Sequence, residues 1–312
     1  MNTIQTAESV TAWHPDKVCD QISDAIVDAC IAQDPFSRVA VETIGGHGVI
    51  VLIGEVTTTT EVDFVSIAKE VYEGLFHKDI GVLCTIVKQS PNIARGVDTG
   101  GAGDQGIMVG YACRENEVYI PQEMYLARKL LQGFETDGKS QVTIGDTITV
   151  VLSVQGKTKE ELEKYIHAII PSVHGMYCNN TGAFDIGGFD GDTGCTGRKI
   201  VVDAYGPRVP VGGGAFSGKD PTKVDRSGAY MARWIALDLL HRGAQEVKVE
   251  LAYVIGGIKP VMMMATIDGK QETISYDCRP QAIIERFDLR KPIYQDIARN
   301  GHFGRNLPWE VI

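Results

Sequence analysis

The spacing of apolar side chains predicts a long buried helix near the start of the chain. Apolar residues recur at helical intervals from Val18 to Cys30, so one face of a helix over residues 15–33 is expected to be buried. Pro15 suits the first helical position, and Asp16 in the first turn complements the helix dipole. Shorter helices are predicted over 63–76, 123–132, 158–169, 225–241 and 280–287.

The predicted strands come in adjacent pairs, and the predicted helices lie between these pairs. Runs rich in β-branched residues predict strands over 38–43 and 49–58, joined by a glycine-rich turn at 45–48. Further strands are expected at 81–87, 107–112, 141–144, 147–154, 199–203, 246–254 and 261–267. Paired strands separated by helices indicate an α+β fold rather than alternating β-α-β units.

Composition narrows the class of protein. The chain has 312 residues, of which 44% are hydrophobic and 22% charged, as expected for a globular protein of two or three domains. No apolar run has the length of a membrane span, so no membrane association is predicted. Seven scattered cysteines without C-x-x-C spacing indicate reduced thiols and a cytoplasmic location. A net charge of −10 opposes nonspecific binding of nucleic acid.

A glycine-rich stretch at 212–226 combines four glycines, two lysines and two aspartates. Glycines let backbone N–H groups approach an anion, lysines bind phosphate oxygens, and aspartates suit Mg²⁺, so a Mg-polyphosphate site is one interpretation. A solvated turn is the other. Residues 213–219 also match the P-loop pattern G-x-x-x-x-G-K. Asp220 stands where that loop has a hydroxyl, however, and Pro221 disfavours a helix directly after Lys219.

Two more polar stretches indicate chemistry. His14, Asp16 and Lys17 stand together at the predicted helix N-terminus, which favours an anion-plus-metal site; a simple complement to the helix dipole is the alternative for Asp16. Glu55 interrupts an apolar strand, where an unpaired carboxylate is costly to bury. The glycine-rich connection 89–106 has no periodicity and is typical of a lid or binding loop.

In combination these motifs closely resemble the S-adenosylmethionine synthetase family. They are HPDK at 14–17, GAGDQG at 101–106, GDTGCTGRK at 191–199, GGGAFSGKD at 212–220 and GHFGR at 301–305. The resemblance extends from Glu8 to Glu310. It implies three similar α+β domains around a pseudo-threefold axis, for which we expect boundaries at 1–100, 101–186 and 187–312. It also implies a homodimer or a dimer of dimers, with active sites at the interface.

The resemblance further implies the reaction and the residue roles. ATP and L-methionine would give S-adenosylmethionine, and the tripolyphosphate released would be hydrolysed to phosphate and pyrophosphate, with two Mg²⁺ per site and K⁺ assisting. The implied catalytic residues are His14, Lys139, Arg198, Lys199 and Lys219. ATP contacts would be made by these five together with Lys17, Asp104, Asp137, Phe184, Asp192 and Ala215. Methionine would contact Glu55, Gln89, Asp192 and Lys223. Asp16 and Asp225 would hold Mg²⁺, Glu42 would bind K⁺, and 89–99 would gate the site.

The chain also departs from the pattern of this family. It is shorter, with a trimmed segment before Lys139, and Trp13 stands where glycine is usual. Other departures are Ala183 and Asp185 for Arg and Val, Val211 for His, and Asn92 for Asp. None of these changes removes a metal ligand or a phosphate-binding lysine. We therefore expect the reaction to be intact, whereas a non-catalytic nucleotide-binding relative would need a broken site.

Overall fold

Three four-stranded sheets form the framework of the part of the chain that the structure describes. The computed structural model describes residues 3–88 and 100–312. The strands are β1 Gln5–Val10, β2 Arg38–Gly46, β3 Val49–Thr57, β4 Gly81–Val87, β5 Gly106–Cys113, β6 Gly138–Ile144, β7 Ile148–Val154, β8 Gly175–Cys178, β9 Gly194–Cys195, β10 Glu246–Tyr253, β11 Met262–Ile267 and β12 Lys270–Thr273. The helices are α1 Pro15–Gln33, α2 Phe64–Phe76, α3 Gln122–Lys129, α4 Lys159–Ile169, α5 Gly188–Gly191, α6 Ile200–Asp203, α7 Val224–His241, α8 Pro280–Phe287 and α9 Tyr294–Asn300.

Each sheet takes one strand from a distant part of the chain. The strand orders are β4-β3-β2-β9, β1-β6-β7-β8 and β12-β11-β10-β5. Thus β1 pairs with β6, β5 pairs with β10, and the short β9 pairs with the end of β2. This arrangement confirms the predicted α+β fold with three parts. The exact domain boundaries stay a prediction, since no sheet is built from one contiguous third of the chain.

Helix α1 is the most deeply buried long helix of the first third. It begins at Pro15 and ends at Gln33, as its apolar spacing predicts, and 15 of its 19 residues are buried. It packs against β2, α2 and α9. Most core residues form one continuous cluster with α1 and α7, while a second cluster lies between β6, β7 and α4. Within residues 3–88 and 100–312, none of the helices has the length and apolar character that a membrane crossing needs.

Among the described residues one secondary-structure prediction is wrong, and four strands and the helices α5 and α9 were not predicted. The β-branched run Ile200–Val202 predicted a strand, but these residues form the helical turn α6, closed by a bond from Ala204 N to Ile200 O of 3.0 Å. Strand β1 was missed because its buried residues include the small Ala7 and Ser9, which give a weak apolar signal. Strands β8, β9 and β12 have only two to four residues each.

Candidate active site

Four aspartates at every fourth position of α1 hold later segments of the chain in place. Residues four apart share one helix face, and each of these carboxylates accepts at least one backbone N–H. The donors are Cys195 N to Asp16 (2.9 Å), Gly197 N to Asp20 (2.8 Å), Gly218 N to Asp24 (2.8 Å), and Tyr294 N to Asp28 (2.9 Å). Of these four aspartates only Asp16 was predicted to be a site residue, although their regular spacing is visible in the sequence. The ladder sets the two candidate phosphate-binding loops, 194–199 and 212–220, against α1.

A group of charged side chains surrounds the N-terminus of α1. Asp16 is fully buried, and its carboxylate lies 2.5 Å from Lys199 Nζ and 3.2 Å from Arg198 Nε. Burial alone would raise the pKa of Asp16, but hydrogen bonds from Lys199 and from Cys195 N hold it below its usual value. The group therefore contains one ionised carboxylate and two cations, of which Arg198 is more than half exposed. We call His14, Asp16, Arg198 and Lys199 together the His14 cluster.

His14 is oriented by its position as the N-cap of α1. Its Nδ1 accepts a hydrogen bond from Asp16 N at 3.2 Å, which places the proton of the neutral ring on Nε2. Burial lowers the pKa of His14 to about 4, and the charge of Lys199 lowers it as well. The side chain is therefore a neutral hydrogen-bond donor through Nε2 at physiological pH.

Further predicted site residues lie beside this cluster. The charges of Lys139 and Asp192 are close enough to shift the pKa of His14. Lys139 Nζ lies 2.7 Å from Glu8 on the neighbouring strand, and its side chain is about half exposed. Asp137 accepts a hydrogen bond from Gly188 N at 2.9 Å. The structure therefore brings Lys139, Asp137 and Asp192 close to His14 at one end of β6.

The glycine-rich stretch forms a second group. Lys219 Nζ lies 2.6 Å from Asp225, whose other carboxylate oxygen accepts from Gly214 N at 3.0 Å. Lys223 forms an ion pair with the buried Asp220. These contacts leave Lys219 and Asp225 partly exposed at the N-terminus of α7.

Glu42 and Glu55 share the exposed face of the sheet β4-β3-β2-β9. Glu55 is paired with Ala40 in the β2–β3 ladder, and Glu42 follows two residues later on β2, so both side chains point to the same face. Ala40 also forms an isolated bridge with Lys219. The two carboxylates therefore lie at the edge of the glycine-rich group, and both are exposed.

The remaining four predicted ligand-binding residues, which are Ala215, Asp104, Phe184 and Gln89, do not lie in one place. Ala215 packs on the loop of the His14 cluster, because a Cβ at Gly197 would lie 2.5 Å from its methyl group. Asp104 is exposed and accepts from Gln105 N at 2.7 Å. Phe184 borders a separate cleft of about 520 Å³ between β7, β8 and α4. Gln89 and the predicted gating loop 89–99 lie outside the described residues.

Lys17 does not join the His14 cluster, contrary to the expectation from its motif. Its Nζ lies 3.0 Å from Asp20 and 2.5 Å from Asp203, and the side chain is buried. Burial alone would lower the pKa of Lys17, but the two carboxylates raise it above its usual value. Its charge is therefore compensated inside the protein, and Lys17 is better described as a residue that fixes α1 to α6.

The two predicted Mg²⁺ ligands are single carboxylates, each with a lysine partner. Within residues 3–88 and 100–312, no group of three or more His, Cys, Asp or Glu residues could hold a metal by itself. Mg²⁺ is commonly bound by one or two carboxylates together with substrate phosphates. Asp16 and Asp225 suit that kind of site, because Lys199 and Lys219 show that each carboxylate accommodates a cation.

The P-loop interpretation of 213–219 is wrong. A P-loop needs a helix that starts at its lysine, with the helix N-terminus facing the phosphates. Here α7 begins at Val224, and Lys219 instead bridges to strand β2. Asp220 is buried and accepts from Val39 N at 2.7 Å.

The close contact of β9 with α1 leads to a prediction about Gly194. A Cβ at this position would lie 2.1 Å from the carbonyl oxygen of Pro15. Gly194→Ala should therefore push β9 away from α1 and weaken the bond from Cys195 N to Asp16. We expect the free energy of unfolding in urea to fall by about 1–3 kcal/mol. Gly74→Ala, in α2 with open space around the added methyl, is the control and should not destabilise; equal effects would contradict this account.

Comparison with family models identifies all three parts of the chain. Residues 2–91 match the S-adenosylmethionine synthetase N-terminal domain, residues 99–183 match the central domain, and residues 186–311 match the C-terminal domain. These matches leave only short connections between them. They agree in order with the motifs found in the sequence.

Several relatives resemble the chain over almost its whole length. The S-adenosylmethionine synthase of Clostridium tetani is 43% identical, with 100% of this chain and 97% of that protein covered. The alignment has 382 positions, so at least 70 (382 − 312) have no counterpart among the 312 residues here. The proteins of the same name from Wolinella succinogenes and Maridesulfovibrio salexigens are 41% and 42% identical, each over 98% of this chain and 94% of the relative. The chain therefore belongs to the S-adenosylmethionine synthetase family.

Proposed function

We propose that the His14 cluster and the glycine-rich group together make S-adenosylmethionine from ATP and L-methionine. The observation that carries the proposal is the placement of His14. Its Nδ1 is occupied as the cap of α1, and the ring lies beside Asp16, whose carboxylate contacts both Lys199 and Arg198. Matches to all three domains of the family support the same activity.

The chemistry explains why such a site has no obvious general base. The thioether sulfur of methionine attacks C5′ of ATP, a carbon–sulfur bond forms, and the bond from C5′ to the phosphate oxygen breaks. Sulfur loses no proton, and the electron pair of the broken bond stays on the departing tripolyphosphate. The difficult part is the growing negative charge on that oxygen, so positioning and preorganised donors supply the rate.

We assign this charge stabilisation to His14 and four cations. His14 Nε2 donates to the departing oxygen, while Lys139, Arg198, Lys199 and Lys219 contact the phosphates. Two unit charges 4 Å apart interact by about 4 kcal/mol at an effective dielectric near 20, before desolvation. Lys199 is the best shielded of the four, with 15% of its side chain exposed. The same cations would assist hydrolysis of tripolyphosphate to phosphate and pyrophosphate.

The metal ions belong to this proposal too. Asp16 and Asp225 would each hold one Mg²⁺ together with substrate phosphates, and Glu42 would bind K⁺. When bound, Mg²⁺ neutralises negative charge on the phosphate oxygens. The pairing of each aspartate with a lysine supports these positions for a cation.

Methionine and the nucleoside would use the remaining residues. Asp192 lies near His14 and Asp137, which suits a residue shared by the amino acid and the nucleoside. Glu55 and Lys223 would pair with the ammonium and carboxylate groups of methionine. The other proposed contacts are Gln89 with methionine, and Asp104, Phe184 and Ala215 with ATP.

We also propose that the active molecule contains at least two copies of this chain. Five apolar side chains on the face that carries Glu42 and Glu55 are 38–60% exposed: Ile44, Val49, Ile53, Leu83 and Val87. An apolar face of this extent is typical of an interface between subunits. A second copy on this face would also bring its own residues next to the two carboxylates.

A charge placed on that face tests the dimer. Leu83→Glu should yield a monomer by light scattering and should lose most of the synthetic activity. Ile4→Glu, at an apolar side chain that is 72% exposed outside this face, should leave both properties unchanged. A fully active Leu83→Glu monomer would contradict the proposal.

The location of the protein and its domain limits remain part of the proposal. All seven cysteines are free thiols, which supports a cytoplasmic location. The limits of the family matches support domain boundaries near residues 100 and 186.

One incubation tests the activity itself. Protein, ATP, methionine, Mg²⁺ and K⁺ should give S-adenosylmethionine, phosphate and pyrophosphate in equal amounts. Omitting methionine should abolish the S-adenosylmethionine product, and ATP hydrolysis that ignores methionine would contradict the assignment.

A further inference from the structure

Trp13, the residue before His14, joins the N-terminus of α1 to the C-terminal turn of α2. Its Nε1 donates to the carbonyl oxygen of Leu75 at 3.1 Å. The guanidinium carbon of Arg299 lies 5.9 Å from the centre of the indole ring. Carbonyl groups in the last turn of a helix have no partner within that helix, so the indole N–H satisfies a group that would otherwise need water.

The same end of α2 also supports the nucleoside side of the site. A Cβ at Gly188 would lie 2.7 Å from the ring of Phe76, so this ring rests directly on the backbone of α5. The rings of Tyr72 and Phe189 stack with centres 5.5 Å apart. Helix α5 ends at Gly191 and leads straight to Asp192. The last turn of α2 thus lies between Trp13 and Asp192.

One hydrogen bond to the carboxylate of Asp137 and two backbone hydrogen bonds complete a closed ring around these residues. Gly188 N donates to Asp137, and Thr11 N donates to Gly138 O at 2.9 Å. His14 N in turn donates to Thr11 O at 3.2 Å. The ring therefore passes from the His14 turn through Trp13, α2, α5 and the start of β6, and back. Trp13 makes the link to α2.

We propose that Trp13 is a positioning residue that sets the distance between His14 and the pair Asp137 and Asp192. This inference rests on the proposed function, in which His14 meets the departing oxygen and the two aspartates hold the nucleoside. The pattern of the family has glycine where this chain has Trp13, and glycine has no side chain to make this link. The link is therefore a property of this chain. A displacement of about 1 Å in a catalytic constellation can cost about 100-fold in rate.

A purely packing role for Trp13 predicts a different result. Loss of packing alone would lower the melting temperature and reduce every activity by the same factor, through a smaller folded fraction. Loss of positioning would slow carbon–oxygen cleavage, which needs His14 aligned with the nucleoside. Hydrolysis of added tripolyphosphate needs no nucleoside and should be spared.

The test uses Trp13→Phe, which keeps an aromatic ring and removes the N–H donor. Trp234→Phe is a matched control, because Trp234 Nε1 donates to Val311 O at 3.0 Å and Arg286 lies 4.3 Å from its ring. For each variant, kcat and KM for ATP are measured in synthesis, with tripolyphosphate hydrolysis alongside. Calorimetry gives the affinities for a non-hydrolysable ATP analogue and for tripolyphosphate.

Trp13→Phe is expected to lower kcat for synthesis about tenfold and to weaken binding of the analogue several-fold. Tripolyphosphate hydrolysis and binding should stay within about twofold of the wild type, as should all properties of Trp234→Phe. Phe76→Leu, at the other end of the link, should reproduce the imbalance. The inference is overturned if Trp13→Phe matches Trp234→Phe, or if both activities fall together. Should the wild type lack synthesis, the proposed function fails, while the two binding measurements still decide the role of Trp13.

Discussion

His14→Asn is expected to lower the rate of S-adenosylmethionine synthesis by about 10²–10³-fold, the usual cost of removing one donor to a developing oxyanion. The Nδ1 of His14 is engaged as the cap of α1, which leaves Nε2 as the donor in the proposed function. Asparagine is a good N-cap and should preserve the helix, but its short side chain cannot place a second donor at the Nε2 position. The rate is measured as product formed from ATP and methionine at saturation.

Hydrolysis of added tripolyphosphate should change by less than about threefold in the same variant, because that reaction breaks a phosphorus–oxygen bond away from the ribose. Asp63→Asn is the matched control, since Asp63 caps α2 by accepting from Ser66 N at 3.0 Å. It should be normal in both reactions. If His14→Asn were also normal in both, His14 would be only a cap; if both rates fell together, the site would have collapsed.

Lys219→Met should lower kcat for synthesis by about 10²-fold while the KM for methionine changes less than about twofold. In the proposed function Lys219 contacts the phosphates, where negative charge grows in the transition state, so its loss should affect the transition state more than the ground state. The variant also leaves Asp225 without its ammonium partner at 2.6 Å. Steady-state kinetics at saturating ATP separate the two constants.

Lys69→Met is the control for removing a paired lysine. Lys69 lies 2.9 Å from Asp79, but both side chains are well exposed on the surface, where such pairs contribute little. Its kinetics should equal those of the wild type. A Lys219→Met enzyme with normal kcat and a raised KM for methionine would mean that Lys219 binds the amino acid instead.

Local sequence patterns predicted most of the helices and strands. The long helix was predicted over about 15–33, and the structure confirms it, because its apolar spacing and Pro15 act within a few positions of one another. The run at 200–202 led to a wrong strand prediction, because β-branched residues favour strands in general. Here the burial of Val202 and Asp203 beside α1 favours a helical turn instead. The environment of Asp203 includes Lys17, which lies 186 residues away in sequence.

The candidate site was predictable in its residue types and less so in its geometry. The motif at 14–17 indicated an anion-plus-metal site, and in the structure His14 and Asp16 lie beside Lys199. It did not reveal that Lys17 turns inward, because its partner Asp203 is distant in sequence. The aspartate ladder of α1 was readable as a spacing of four residues. Its meaning depends on the backbone N–H groups of loops that no local pattern places there.

The exchange of strands between the three sheets has a consequence for how the protein forms during translation. Strand β1 leaves the ribosome about 130 residues before its partner β6, a delay of roughly 7–26 s at about 5–20 residues per second. Strand β2 is likewise synthesised well before its partner β9, and β5 well before its partner β10. Unpaired strand edges are prone to wrong pairing while they wait. Chaperones should therefore be needed to protect the nascent chain for most of its synthesis. Once the chain is complete, it should gain its tertiary structure in a single late step.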